Sequence, residues 1–244
     1  MRIHLITPIV TEGIRTLDDV ASFNSADLSI TQSLIATGPA SIESEFDEAM
    51  SVPGIVAEAL AAERSGADAI IIDCMGDPGL SAAREVVSIP VLGPSETSMH
   101  LAAMLGHRYS VVTVLDSVVP MIENLAKLYA TSEKLASVRV INIPVLELEA
   151  APEKLIAELA KASVAAVEED GAHAIVLGCT GFLGCAEGIT AALEAKNYTL
   201  PVIDPIPATV CIAAGIVRAG LTHSKRTYAQ PGSKDLKGYP SIKI

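Results

Sequence analysis

Short apolar runs and longer amphipathic stretches alternate along most of the chain. The runs that read as strands are Ile3–Ile9, Leu28–Gln32, Ala69–Asp73, Pro90–Leu92, Tyr109–Val114, Val138–Ile143, Ala174–Leu177 and Pro201–Ile203. Between them, Ile55–Ser65, Gly79–Val87, Glu96–Leu105, Val118–Leu128, Glu153–Glu169, Cys185–Glu194 and Ala208–Ala219 carry the period of a helix. Alternation of this kind over such a length predicts an α/β fold built on mostly parallel sheets flanked by helices. The stretch from Thr11 to Pro53 is polar and mixed and is the least legible part.

The pattern also repeats itself. The segment GADAIIIDC at residues 66–74 lies over GAHAIVLGC at residues 171–179, with the glycine, both alanines and the cysteine in register. Downstream, IPVLGP at residues 89–94 resembles LPVIDP at residues 200–205; upstream, RIHLIT at residues 2–7 resembles RYSVVT at residues 108–113. The offsets are 105, 111 and 106 residues, which predicts two related α/β lobes. The expected division places residues 1–95 and 212–244 in the first lobe, with Cys74, and residues 96–211 in the second, with Cys179. Ligands of open α/β sheets bind beyond the carboxyl ends of the strands. A pseudo-twofold between the lobes would bring Cys74 and Cys179 to one interlobe cleft from opposite sides.

Composition narrows the class. Half the residues are apolar and only 3% are aromatic, so the core must be built from Ala, Val, Ile and Leu, as in parallel sheets covered by Ala-rich helices. A mean hydropathy of +0.44 marks a packed chain and not a disordered one. A net charge of −12 offers no basic field to a phosphate backbone, so nucleic acid is excluded as a partner. The opening MRIHLITPIVTEG is too short in its apolar part for a signal peptide. No run approaches the roughly 18 apolar residues of a membrane span. A soluble, cytoplasmic protein with no membrane partner is expected.

The four cysteines are Cys74, Cys179, Cys185 and Cys211, with no C-x-x-C pair among them. That pattern suggests neither a zinc knuckle nor a redox motif, and no metal is expected. Cys185 and Cys211 fall within helical patterns and read as small core residues. Cys74 and Cys179 stand where a strand ends and small residues follow, Met75-Gly76-Asp77-Pro78-Gly79 and Thr180-Gly181. Such loops point backbone N–H groups at a ligand and favour an anion, including a thiolate. None of the five histidines is spaced beside either cysteine, so nothing local supports a Cys–His nucleophile. Two equivalent thiols suit a different chemistry, in which one removes a proton from one face of a carbon while the other delivers a proton to the opposite face. Backbone N–H groups would stabilise the carbanion or enolate. Neither a pyridoxal-lysine context nor a G-x-G-x-x-G loop is found, so no cofactor is expected.

At these residues the chain resembles the aspartate/glutamate/hydantoin racemase superfamily, and within it the hydantoin and allantoin racemase branch. The most specific matches are Cys74-Met-Gly-Asp-Pro-Gly-Leu80 and Leu177-Gly-Cys-Thr-Gly181. The resemblance implies two pseudo-symmetric α/β lobes, a cofactor-independent two-base cysteine mechanism and a homo-oligomer. It makes Cys74 and Cys179 the bases. It assigns the loop N–H groups to Met75, Gly76, Thr180 and Gly181, and places Thr7, Pro8, Glu96 and Thr113 along the pocket. Two departures border that pocket: Thr7-Pro8-Ile9 stands where the branch has N-P-N, and Met75 replaces an aromatic residue. Asp73 is left out of the catalytic set and would oppose a thiolate beside it. Arg2, Arg84 and Arg108 lie away from the Cys loops, which leaves no arginine expected beside them to grip a carboxylate. The expected substrate is therefore a small-molecule cyclic ureide or related carbon acid: a 5-substituted hydantoin, allantoin included. An Asp/Glu-type racemase, a maleate-type isomerase, a decarboxylase and a non-catalytic small-molecule binding protein remain alternatives.

Overall fold

A computed structural model describes residues 1–233 and 235–242. Its strands are β1 (Arg2–Thr7), β2 (Ser29–Leu34), β3 (Ala69–Ile72), β4 (Val91–Leu92), β5 (Tyr109–Thr113), β6 (Leu135–Val140), β7 (Ile175–Leu177) and β8 (Val202–Ile203). The α-helices are α1 (Glu45–Arg64), α2 (Leu80–Val86), α3 (Pro94–Leu105), α4 (Val119–Leu128), α5 (Pro152–Glu168), α6 (Cys185–Glu194) and α7 (Pro205–Arg218). No helix among the described residues is long and apolar enough to cross a membrane.

The strands form two four-stranded sheets, parallel throughout, ordered β2-β1-β3-β4 and β6-β5-β7-β8. The second order is the first with four added to each number, so the repeat read in the sequence is a repeat of topology. The chain divides into two compact units. Met1–Pro94 and the chain from Thr209 onward make one lobe, and Ser95–Ala208 make the other. In the first lobe every residue of β3 is buried. Ile70 and Ile72 pack with Ile55, Ala59 and Leu60 of α1 and with Leu80 and Ala83 of α2. In the second lobe β5 and β7 are buried throughout, with Leu155 and Leu159 of α5 and Ile189 of α6 in the core.

Several predicted boundaries move. The strand expected over Ile3–Ile9 stops at Thr7, because Pro8 has no N–H and the Ile9 N–H turns back to the Thr7 carbonyl at 2.9 Å. The strand expected over Val138–Ile143 is Leu135–Val140, an edge strand of half-buried residues whose polar positions conceal its start. The largest correction concerns α1, which begins ten residues before the expected Ile55 and runs straight through Pro53. Its start is held by a capping box: the Asp47 N–H donates to Ser44 Oγ at 3.2 Å, while Ser44 Oγ and the Glu43 N–H donate to Asp47 Oδ2. Pro53 lacks the N–H that would donate to the Ala49 carbonyl, and Ala49 is exposed, so water can replace that donor.

Candidate active site

Each cysteine follows the second central strand of its sheet, and the surrounding backbone is nearly the same in both lobes. In the first, the Asp73 N–H donates to the Ile6 carbonyl at 2.9 Å, which binds the end of β3 to β1. In the second, the Gly178 N–H donates to the Val112 carbonyl at 2.7 Å. The chain then turns sharply. The Asp77 N–H returns to the Cys74 carbonyl at 3.0 Å, and the Phe182 N–H returns to the Cys179 carbonyl at 3.3 Å. Gly79 and Gly184 cap the following helices at φ 64° and 70°, a left-handed conformation that glycine adopts without a side-chain clash.

Inside each turn a backbone N–H meets the thiol. The Gly76 N–H donates to Cys74 Sγ at 3.5 Å, and the Gly181 N–H donates to Cys179 Sγ at 3.3 Å. Cys74 and Cys179 are both half-buried. Each sulfur thus stands at the carboxyl end of a parallel sheet with an N–H directed at it, an arrangement that favours its anionic form.

The remaining predicted residues take distinct places. Thr7, at the end of β1, donates its hydroxyl to Asp73 Oδ2 at 3.1 Å and accepts from Gln32 Nε2 at 2.9 Å. Thr113, its counterpart at the end of β5, donates to the Gly178 carbonyl at 3.0 Å. Both hydroxyls therefore brace the residue that precedes a cysteine. Pro8 follows Thr7 and is buried, as is Met75. In the first lobe Thr7, Pro8, Cys74, Met75 and Gly76 gather at the sheet's carboxyl end; in the second, Thr113, Cys179, Thr180 and Gly181 do so. Glu96 lies half-buried in the first turn of α3.

The lobes differ just before the cysteine. Position 178 admits no side chain, because a Cβ there would fall 2.7 Å from Val111 Cγ1 and 2.8 Å from Thr113 Cβ. Position 73 carries a buried carboxylate, and it is not alone. Arg15 Nε donates to Asp73 Oδ2 at 2.7 Å, while Arg15 Nη1 and Nη2 grip Asp19 at 2.8 and 3.0 Å. The expectation that no arginine adjoins a Cys loop is thus corrected. Likewise, Asp73 does not confront the thiol as a lone anion, because a firmly protonated guanidinium shares its charge. Arg15 escapes sequence reasoning because it lies in the illegible stretch, and its partner is 58 residues away. No local signal marks it.

A second residue that sequence reasoning misses is Glu48 of α1. Its carboxyl packs on the Cα of Gly76, so closely that a Cβ there would lie 2.7 Å from Glu48 Cδ. Burial, with Glu45 and Asp77 nearby, pushes its pKa up to about 8. Cys185, at the start of α6, is buried and its thiol is pushed up to about 11 by desolvation, with Asp204 adding to the effect. Cys211 of α7 is exposed, not a core residue as its helical pattern suggested.

Comparison with known proteins finds relatives over nearly the whole chain. The family model described as Asp/Glu/Hydantoin racemase matches residues 12–213. A hydantoin racemase of Pseudomonas sp. (strain NS671) is 40% identical over 241 residues, covering 98% of this chain and 95% of its own. One from Rhizobium meliloti is 40% identical over 242 residues, covering 98% of both. Among solved structures, allantoin racemase from Klebsiella pneumoniae superposes with a TM-score of 0.90 at 33% identity, over 98% of this chain and 96% of that one. On these matches, and on the paired cysteine loops they span, the chain belongs to the Asp/Glu/hydantoin racemase family.

Proposed function

We propose that the protein racemises 5-substituted hydantoins, allantoin among them, by proton transfer between Cys74 and Cys179 without a cofactor. The observation that carries this reading is the matched pair of thiols. Each lies at the end of an equivalent strand, and each receives the N–H of the second residue after it. Similarity to proteins named hydantoin racemase and allantoin racemase supports the substrate class.

The reading requires the two sulfurs to address opposite faces of C5. One thiolate takes the C5 proton, and the electron pair moves into the adjacent ring carbonyl as an enolate. The other thiol then donates its proton to the far face and becomes the thiolate. For the opposite enantiomer the roles exchange. Backbone N–H groups of Met75 and Thr180 stabilise the enolate oxygen, while those of Gly76 and Gly181 face the sulfurs. Thr7 and Thr113 act by bracing positions 73 and 178, while Pro8, Met75, Glu96 and Thr180 border the ring and its substituent. We read the enzyme as a cytoplasmic homo-oligomer whose lobes divide near residues 95 and 211.

The test follows single enantiomers of 5-substituted hydantoins in deuterated water, by optical rotation and by exchange at C5, for wild type, Cys74→Ser and Cys179→Ser. Racemisation is expected to vanish in both variants. Full activity in either one overturns the mechanism, and no exchange with any hydantoin in the wild type overturns the substrate class.

A further inference from the structure

The first lobe contains a group for which the two-cysteine mechanism has no use. Glu48 sits four residues past the N-cap Ser44 of α1, and its side chain ends against the Cys74 loop. Oε1 is buried and has no hydrogen-bond partner among the described residues. A buried carboxylate without a partner is costly, and the group avoids that cost by staying protonated. The charged groups around it increase the effect: Glu45 from α1 and Asp77 from the Cys74 loop are both acidic. The loop residue it presses, Gly76, supplies the N–H directed at Cys74 Sγ. At Cys179 the corresponding neighbour is apolar: a Cβ on Gly181 would meet Leu148 Cδ1 at 3.1 Å.

We propose that Glu48 is a positioning residue of the Cys74 loop, holding the Gly76 N–H against the sulfur and governing through its own charge how readily that thiol ionises. While protonated, the carboxyl is a neutral wall behind Gly76 and leaves the N–H free to favour thiolate. Once ionised, it places a negative charge beside the same loop, next to Asp77, and opposes thiolate formation. The two lobes therefore differ in pH response, although their backbones match. This inference rests on Cys74 being the proton-transferring thiol of the first lobe.

The test is site-resolved alkylation by iodoacetamide as a function of pH, read by mass spectrometry of the Cys74 and Cys179 peptides in wild type and Glu48→Gln. Glutamine keeps the size of the side chain and the neutral state. The pH of half-maximal Cys74 alkylation is expected to fall by about one unit in the variant, with the Cys179 profile unmoved. In the wild type alone, the Cys74 profile is expected to be stretched by coupling to Glu48, whereas Cys179 follows a single ionisation. That second reading needs no variant to fold. Superimposable Cys74 profiles, or an equal shift at both cysteines, overturn the proposal. The alkylation needs no substrate, so a hydantoin that fails to react while Cys74 still shifts removes the substrate class and leaves Glu48 in its role.

Discussion

Arg15 Nε lies 2.7 Å from Asp73 Oδ2, and both side chains are almost wholly withdrawn from solvent. The contact ties the loop that follows β1 to the residue immediately before Cys74. With Asp19 on its other edge, the guanidinium pairs with two carboxylates at once.

Arg15→Met leaves both carboxylates buried without their cation. Losing one partner of a buried pair costs about 3–5 kcal/mol, so the urea midpoint is expected to fall sharply. Adding Asp73→Asn to Arg15→Met should restore part of that loss. Urea unfolding of the two single variants and the double variant measures the coupling.

Glu48 makes stability depend on pH in a definite direction. Its pKa is raised in the folded chain to about 8, so the folded state holds a proton that the unfolded state gives up near the ordinary carboxylate value. Its stabilising contribution is therefore complete in acid below that ordinary value. It declines as pH rises, and the loss is finished once pH passes about 8. Glu48→Gln has no such dependence. The unfolding midpoint of the variant relative to wild type is expected to climb between about pH 5 and pH 8 and then level off, as read by thermal denaturation across that range.

Gly178→Ala drives a methyl group into Val111, Thr113 and the Val112 carbonyl. Overpacking of this kind costs about 1–3 kcal/mol. It should also displace the Cys179 turn, so that thermal stability and hydantoin racemisation fall together. The same pair of assays on Gly184→Ala, where the obstacle is a positive φ with open space around the Cβ, should show a milder loss.

The two helical cysteines should separate cleanly under alkylation. Cys211 is exposed, whereas Cys185 is buried with its thiol pushed up to about 11. At pH 8 in the folded protein, iodoacetamide is expected to label Cys211 and spare Cys185. Adding urea should make Cys185 reactive, and peptide mass spectrometry distinguishes the two.

Much of this architecture is legible in the chain because parallel strands buried on both faces leave short unbroken apolar runs, and because the same run occurs twice. Gly66 and Gly171 mark the repeat for a conformational reason, since both adopt positive φ, at 86° and 71°. The cysteines are legible from their place at the strand ends. What stays hidden depends on distance or lies in a stretch without a clear pattern. The polar, mixed stretch ending at Pro53 hides the start of α1, which the capping box at Ser44 and Asp47 holds well before that proline. Arg15 and Glu48 act on residues 58 and 28 positions further along, and no local spacing could announce either contact.

The difference between Asp73 and Gly178 has a further consequence for the proposed reaction. Mirror-image hydantoins have equal free energies, so their equilibrium constant is one, and kcat/KM must be the same in both directions however unlike the two thiols' surroundings are. Unequal lobes can only make kcat and KM differ between enantiomers by the same factor. A change confined to the Arg15–Asp73 side therefore redistributes saturation and turnover, and it can never make the enzyme more efficient toward one hand than toward the other.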